Sequence, residues 1–327
     1  MFPEYIKPEN YMKKILKTIG TLLLLLPLSL VGFLYFSFPK SEPAPEIVAG
    51  NDPARIERGR YLANHVNACI DCHSTRDWKK FSGPLLPETI GEGGEVFDQK
   101  LGFPGSFVAP NITPAALSSW TDGEILRAIS SGISKDGRPL FPVMPHPAYG
   151  QMDKEDLISL IAYLRTLKPI EKPNGVSKAD FPFNLILRTI PSPASFGVRP
   201  EKEDKIAMGK YLFTAAACSE CHTKQDKGKP IAGMELAGGF EFPLSNGTLV
   251  KSANITPDKE TGIGLWTEKE FVHRFKSMEI PKYKPHEVKD GELQTIMPWT
   301  MYAGMTEEDL AAIYAYLRTV KPISNKI

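Results

Sequence analysis

Two five-residue stretches decide the reading of this chain: Cys69-Ile70-Asp71-Cys72-His73 and Cys218-Ser219-Glu220-Cys221-His222. Together they use all 4 cysteines of the 327 residues. Cys-x-x-Cys-His is the attachment pattern for a c-type haem. Cysteines three apart share one helical turn, so both thiols reach the two vinyl groups of one porphyrin. The adjacent histidine then stands beneath the ring as proximal iron ligand. The other readings of such a pair are half of a zinc site or a thioredoxin-like redox pair. Zinc needs both pairs on one metal with two histidines left over, and a redox pair needs a βαβ pattern that is absent. Two covalently bound haems c are therefore expected, held by Cys69, Cys72 and His73 and by Cys218, Cys221 and His222.

Outward from these stretches the chain repeats itself. Asn111-Ile112-Thr113-Pro114 recurs as Asn254-Ile255-Thr256-Pro257, Trp120-Thr121 as Trp266-Thr267, and Met144-Pro145 as Met297-Pro298. Ala162-Tyr163-Leu164-Arg165-Thr166 recurs as Ala315-Tyr316-Leu317-Arg318-Thr319, each followed shortly by Lys-Pro-Ile. The expectation is an all-α chain with two tandem modules, residues 53–170 and 203–327, joined by a linker over 171–202. In each, a helix leads into the cysteine stretch. Gly59 or Gly209 lets that helix cross closely over Tyr163 or Tyr316 of the last helix. A long Gly/Pro-rich loop follows; its Gly93-Gly94-Glu95-Val96-Phe97 and Gly238-Gly239-Phe240-Glu241-Phe242 segments are turns or short extended pieces. Thr121 and Thr267 cap the next helix, and the last begins near Asp153 or Thr306. Phe181 and Phe183 imply that the linker packs on a domain, since exposed aromatics are costly.

A haem iron with one histidine needs a second axial group or leaves an open position, and methionine suits electron transfer. Met144 and Met297 are the candidates. Each precedes a proline, which biases it to extended backbone on a loop free to approach the ring. Core packing is the usual role of a methionine; Met152, Met301 and Met305 lie near the same loops, and Met152 and Met305 are expected to pack. Histidines 65, 146, 273 and 286 are not repeated, which argues against a shared bis-histidine arrangement, although His146 is a rival to Met144. Trp120 and Trp266 are candidates for donating to haem propionates, with core packing as the alternative. Asn111 and Asn254 order the propionate side or simply form Asx-turns.

The first 40 residues differ from the rest. Ile19 to Phe38 is an uncharged apolar run of 20 residues, the length that spans a bilayer. Lys7, Lys13, Lys14 and Lys17 precede it, so the positive-inside rule keeps the N-terminus cytoplasmic. A cleaved signal peptide is the competing reading, but no small-x-small site follows the run. Residues 1–40 thus read as a cytoplasmic N-terminus with a single-pass anchor, and 41–52 as a stiff polar tether. The haem modules then lie on the periplasmic side of a bacterial inner membrane, an oxidising space. A net charge of +1 gives no support to nucleic-acid binding.

Taken together, these residues resemble membrane-anchored dihaem class I cytochromes c, especially the cytochrome c subunits of bacterial alcohol, gluconate and related dehydrogenases. The strongest match is Asn254-Ile255-Thr256-Pro257-Asp258 with Thr261-Gly262-Ile263-Gly264 and Trp266-Thr267; copy one lacks the Thr-Gly-Ile-Gly segment. The resemblance implies two tandem cytochrome c domains after one transmembrane helix. It also implies His73 and His222 as proximal ligands and Met144 and Met297 as distal ligands. Those subunits typically carry three haem modules and a C-terminal anchor, whereas this chain has two and an N-terminal one. The implied role is an electron carrier, with no catalytic residues of its own, between a periplasmic dehydrogenase or respiratory donor and an acceptor such as a terminal oxidase. The alternative is a dihaem peroxidase-like enzyme with one open haem site and an acid–base group beside it.

Overall fold

The structure is a computed structural model that describes residues 8–40, 42–244 and 247–327. Lys7 of the basic flank and Ser41 of the tether lie outside them. Among the described residues, helix α1 (Pro8–Ser37) contains the one segment long and apolar enough to cross a membrane, Tyr11–Ser37. Its leucines from Leu16 to Leu30 are exposed. At 1.5 Å per residue its apolar part reaches about 40 Å, more than the ~30 Å hydrocarbon layer.

The first module contains α2 (Pro53–Tyr61), α3 (Cys69–Cys72), α4 (Pro114–Leu117), α5 (Asp122–Ser131), α6 (His146–Tyr149) and α7 (Lys154–Leu164). A linker helix, α8 (Phe183–Leu187), comes next. The second module contains α9 (Lys205–Ala215), α10 (Cys218–His222), α11 (Glu268–Lys276), α12 (Trp299–Tyr302) and α13 (Glu307–Leu317). Capping explains where several of these begin. Asp52 accepts from Arg55 N at the start of α2, and Thr121 and Thr267 form capping boxes with Glu124 and Glu270 on α5 and α11. Asp153 and Thr306 cap α7 and α13, each satisfying a backbone donor that the first turn leaves without a partner.

The first and last helices of each module cross at the expected glycines. A Cβ on Gly59 would stand 1.8 Å from Ser159 O and 2.9 Å from Tyr163 Cβ. One on Gly209 would stand 1.9 Å from Ala312 O and 3.0 Å from Tyr316 Cβ. No side chain fits at either crossing. Around them pack Leu62, Leu157, Leu160 and Ile161 in the first module and Leu212, Leu310, Ile313 and Leu317 in the second, all buried.

The all-α expectation needs correction, because among the described residues three small antiparallel sheets accompany the helices. Strands β1 (Val96–Phe97), β2 (Gly105–Val108) and β3 (Lys178–Ala179) form one, with Phe97 opposite Phe107 and Gly105 opposite Ala179. Strands β4 (Gln225–Asp226) and β5 (Lys229–Pro230) form a hairpin, and β6 (Glu241–Pro243) pairs with β7 (Leu249–Lys251). The physical reason is that the long loops after the cysteine turns lack helical periodicity while their backbone groups still require partners. Short ladders supply them, so the Val96-Phe97 and Glu241-Phe242 segments are extended rather than turns.

Neither connecting segment hangs free. In the stretch expected as a tether, Ala49 is buried, its N–H donates to Asp122 Oδ2 at 2.8 Å, and its carbonyl accepts from Arg55. The later linker adds β3 to the first module's sheet, places Phe183 against Phe141, and bonds Ser195 N to Gly150 O. Phe181 nevertheless remains 79% exposed.

The two modules meet through a reciprocal exchange. Tyr211 on α9 donates its phenol to Asp156 Oδ2 on α7 at 2.6 Å, and Asp153 N donates to the same phenol oxygen. Conversely, Tyr61 on α2 donates to Asp309 Oδ2 on α13 at 2.5 Å, and Thr306 N donates to Tyr61. Asp156 also accepts both Nε and Nη2 of Arg58 and an Nη1 of Arg199, so it ties α2, the linker and the second module together.

Candidate haem-attachment sites

Each cysteine pair occupies a single turn that begins after a left-handed alanine, Ala68 (φ 50°) or Ala217 (φ 51°). Left-handed backbone is uncommon for alanine, and finding it at both equivalent positions marks a constrained entry to the turn. All four thiols are free. Burial pushes Cys69, Cys72 and Cys218 up to about 12 and Cys221 up to about 11, so all are neutral thiols. The pairs sit in separate modules, and among the described residues no three His, Cys, Asp or Glu side chains gather as a metal cage. The shared zinc arrangement is therefore not built.

The histidines are oriented identically. His73 Nδ1 lies 2.7 Å from Pro110 O, and His222 Nδ1 lies 2.8 Å from Ala253 O. A carbonyl can only accept, so Nδ1 carries the proton and Nε2 keeps its lone pair for a metal. Burial lowers the pKa of both rings, keeping them neutral.

Those acceptor carbonyls immediately precede the repeated Asn-Ile-Thr-Pro segments, whose own side chains explain why they stay in place. Asn111 Oδ1 accepts from Thr113 N and Oγ1, both at 2.8 Å, while its Nδ2 donates to Ile170 O at 2.7 Å. Asn254 makes the same bonds to Thr256 and Ile323. The Asx-turn is thus what these asparagines form, and it bolts the histidine's acceptor to the Lys-Pro-Ile segment after the last helix.

Met144 and Met297 lie half-buried on matching turns. His146 N donates to Met144 O at 2.6 Å and Trp299 N to Met297 O at 2.8 Å. The intervening prolines have φ −75°, ψ 57° and φ −80°, ψ 62°, the inverse γ-turn. Five residues past each methionine stands a tyrosine that sequence reasoning missed. Tyr149 donates to Asn67 O at 3.0 Å and Tyr302 to Ala216 O at 2.9 Å. Each acceptor is two residues before the first cysteine, so these phenols tie the methionine turn to the cysteine turn. The signal was available, since Met-Pro-x-x-x-Tyr recurs in both copies.

The Met297 turn has a further support from the first module. Ser82 Oγ donates to Met297 O at 2.6 Å, Ser82 N donates to Gln294 Oε1 at 2.8 Å, and Gln294 Nε2 donates to Trp78 O and Lys80 O. Ser82 and Gln294 are both buried. The same loop carries Arg76, which pairs with buried Asp71 inside the first cysteine stretch at 2.8 Å and donates to Ser82 O and Gly83 O.

The remaining candidates fall elsewhere. Met152, Met301 and Met305 are buried in the core. Trp120 packs against the core and Trp266 is 38% exposed. His65 bonds Met301 O and His286 stacks on Phe81. His146, the rival to Met144, is fully buried against the Gly132 backbone, neither ring nitrogen has a partner among the described residues, and burial pushes its pKa down to about 4. Copy two holds Trp299 at that position.

The residues present fit a covalently held haem. Each site offers two neutral thiols on one turn, an imidazole with its Nε2 free, and a thioether on a turn bonded back to the thiols' own segment. Residues 206–321 match the family model for cytochrome c, and that part of the chain is a cytochrome c domain. The chain as a whole resembles the cytochrome c subunits of bacterial dehydrogenases. It is 29% identical over 289 residues to the "Alcohol dehydrogenase (quinone), cytochrome c subunit" of Gluconacetobacter polyoxogenes, covering 83% of this chain and 57% of that protein. To the "Fructose dehydrogenase cytochrome subunit" of Gluconobacter japonicus it is 27% identical over 307 residues, covering 86% and 56%. The chain thus spans little more than half the length of these two relatives. To the "Diheme cytochrome c-type" protein of Cereibacter sphaeroides it is 28% identical over 291 residues, covering 85% and 90%.

Proposed function

We propose that the chain is a membrane-anchored dihaem cytochrome c that carries electrons between a dehydrogenase or respiratory donor and a terminal acceptor. In this reading residues 53–170 and 203–327 are two cytochrome c domains. Cys69 and Cys72 hold one haem and Cys218 and Cys221 the other. His73 and His222 are proximal ligands, and Met144 and Met297 are distal ligands. The observation that carries it is duplication of the whole constellation: the same Nδ1–H to carbonyl bond and the same methionine turn occur in both modules.

A bound haem supplies a one-electron couple; the chain's part is to hold it in place. The backbone carbonyls of Pro110 and Ala253 fix the imidazole tautomer, and a histidine hydrogen-bonded in this way is a stronger metal ligand. Tyr149 and Tyr302 keep the methionine turns against the cysteine turns, so Met144 and Met297 would be held where their thioethers could serve a bound haem. Helix α1 is the proposed anchor, retained in the bacterial inner membrane with both domains on the periplasmic side. The dehydrogenase partnership rests on the relatives' names and on this placement.

Pyridine haemochrome analysis of the purified full chain is expected to give two haems c per polypeptide, and a value of one overturns the two-domain reading. Failure of the reduced protein to bind carbon monoxide is the expected companion result. Binding would favour the peroxidase-like alternative.

A further inference from the structure

Helix α8 lies beside the end of α1 rather than on the far side of the first module. Arg188, which follows α8, donates to Tyr35 O at 2.8 Å and also to Phe38 O. Its guanidinium stacks over the Tyr35 ring, 4.6 Å from the centroid. Two consecutive parts of the linker are thereby fixed at the level of the last turn of α1. If α1 spans a bilayer, Tyr35 occupies the interfacial zone where tyrosines collect, and Arg188 stands at the depth of lipid phosphates.

The side chains that α8 and its approach leave outside the protein suit that depth. Phe181 is 79% exposed and Ile186 51% exposed, while Leu187, the next position round α8, is buried. From Phe181 to Ile190 the only charged residue is Arg188. Phe36, in the last turn of α1, is 86% exposed. An exposed aromatic, an exposed isoleucine and a single cation touching a spanning helix form a surface for the headgroup–acyl boundary.

We propose that residues 181–190 are a second membrane contact. Phe181 and Ile186 enter the leaflet at which α1 emerges, and Arg188 sits among its phosphates. The first module is then held with one fixed face toward the bilayer, by two contacts rather than by α1 alone. This rests on the reading of α1 as a membrane span. The occupant is phospholipid; a partner protein seated on the same face is the competing outcome.

The test is site-directed spin labelling of the full, haem-loaded chain in phosphatidylcholine–phosphatidylglycerol vesicles. In that chain the four native cysteines are expected to take up no label, which the unsubstituted protein checks. Labels are placed at Phe181→Cys, Ile186→Cys, Tyr35→Cys and Val198→Cys, the last 83% exposed on the linker further along. Accessibility to oxygen relative to a water-soluble nickel complex is expected to be several-fold higher at 181 and 186 than at 198, and close to that at 35. Aqueous values at 181 and 186 with a lipid value at 35 overturn the second contact and leave the span intact. Aqueous values at all four positions overturn the span and this proposal with it. Two labelled sites, one just before α8 and one on it, keep the result readable where one substitution impairs folding.

Discussion

Asp156 accepts four side-chain bonds from three residues, and Asp156→Asn tests whether the modules are held together as described. Its carboxylate is 3% exposed and accepts two bonds from Arg58, one from Arg199 and one from Tyr211. The amide keeps the shape, removes the charge and turns a donor toward a guanidinium. Breaking a buried ion pair costs about 3–5 kcal/mol. Arg58 is 25% and Arg199 46% exposed, so water recovers part of the loss, leaving about 2–4 kcal/mol. At ~1.4 kcal/mol per decade this is roughly a hundredfold in the unfolding constant. Guanidinium unfolding followed by far-UV circular dichroism reads it, and Tyr211→Phe completes a double-mutant cycle with expected coupling of about 1 kcal/mol or more. Burial works to raise the Asp156 pKa, but hydrogen bonds and charge from Arg58, with Tyr211 and Arg199, outweigh it and hold it below the usual carboxylate value. Its stabilisation is therefore complete above the ordinary aspartate pKa of ~3.9 and is lost as pH falls through the lower folded value. The gap between wild type and variant should close only in that acid range. A loss under about 1 kcal/mol at neutral pH, or a gap that does not change on acidification, refutes the reasoning.

Gly209→Ala puts a methyl 1.9 Å from Ala312 O, so α9 and α13 must part by more than ~1 Å. Overpacking costs about 1–3 kcal/mol, and a clash with rigid backbone puts this site toward the upper end, above the ~1 kcal/mol that alanine gains in helix propensity, so the thermal midpoint should fall. Met144→Ala and Met297→Ala should each remove the weak red-edge Met–Fe(III) absorption of one haem; an unchanged spectrum moves the ligand elsewhere. Ser82→Ala leaves the first module's own core untouched but removes the bond to Met297 O, costing about 1 kcal/mol, and should perturb the absorption that Met297→Ala abolishes and not the one that Met144→Ala abolishes.

What the sequence made legible was local or repeated. The cysteine stretches and helix caps are short-range patterns, and the glycine crossings could be inferred because both copies carry the same residue at the same place. The sheets were not legible. Val96-Phe97 is too short for a period, and its partner strand Gly105–Val108 begins with a glycine. Nor was the contact between modules. Tyr61 and Asp309 are 248 residues apart, and neither announces a partner until the helices are placed. The Asx-turns of Asn111 and Asn254 were legible as one of two readings, but their bonds to the carbonyls of Ile170 and Ile323 were not, because those acceptors lie 59 and 69 residues further along the chain. The buffering of residues 42–52 against α5 was hidden by composition, since proline and acid predict a tether whether or not it packs.

The exchange of phenols between the modules has the form of a homodimer contact written into one polypeptide. Equivalent residues on each half give what they receive, as two copies of a single ancestral unit would across a symmetry axis. Joining such copies end to end fixes their ratio and their pairing at every concentration. It also frees each half to change without its twin. His146 stands where the other half has Trp299, and the support from Ser82 reaches the methionine turn of only the second module. Two sites built to one pattern can therefore differ in their properties while the contact that pairs them is kept.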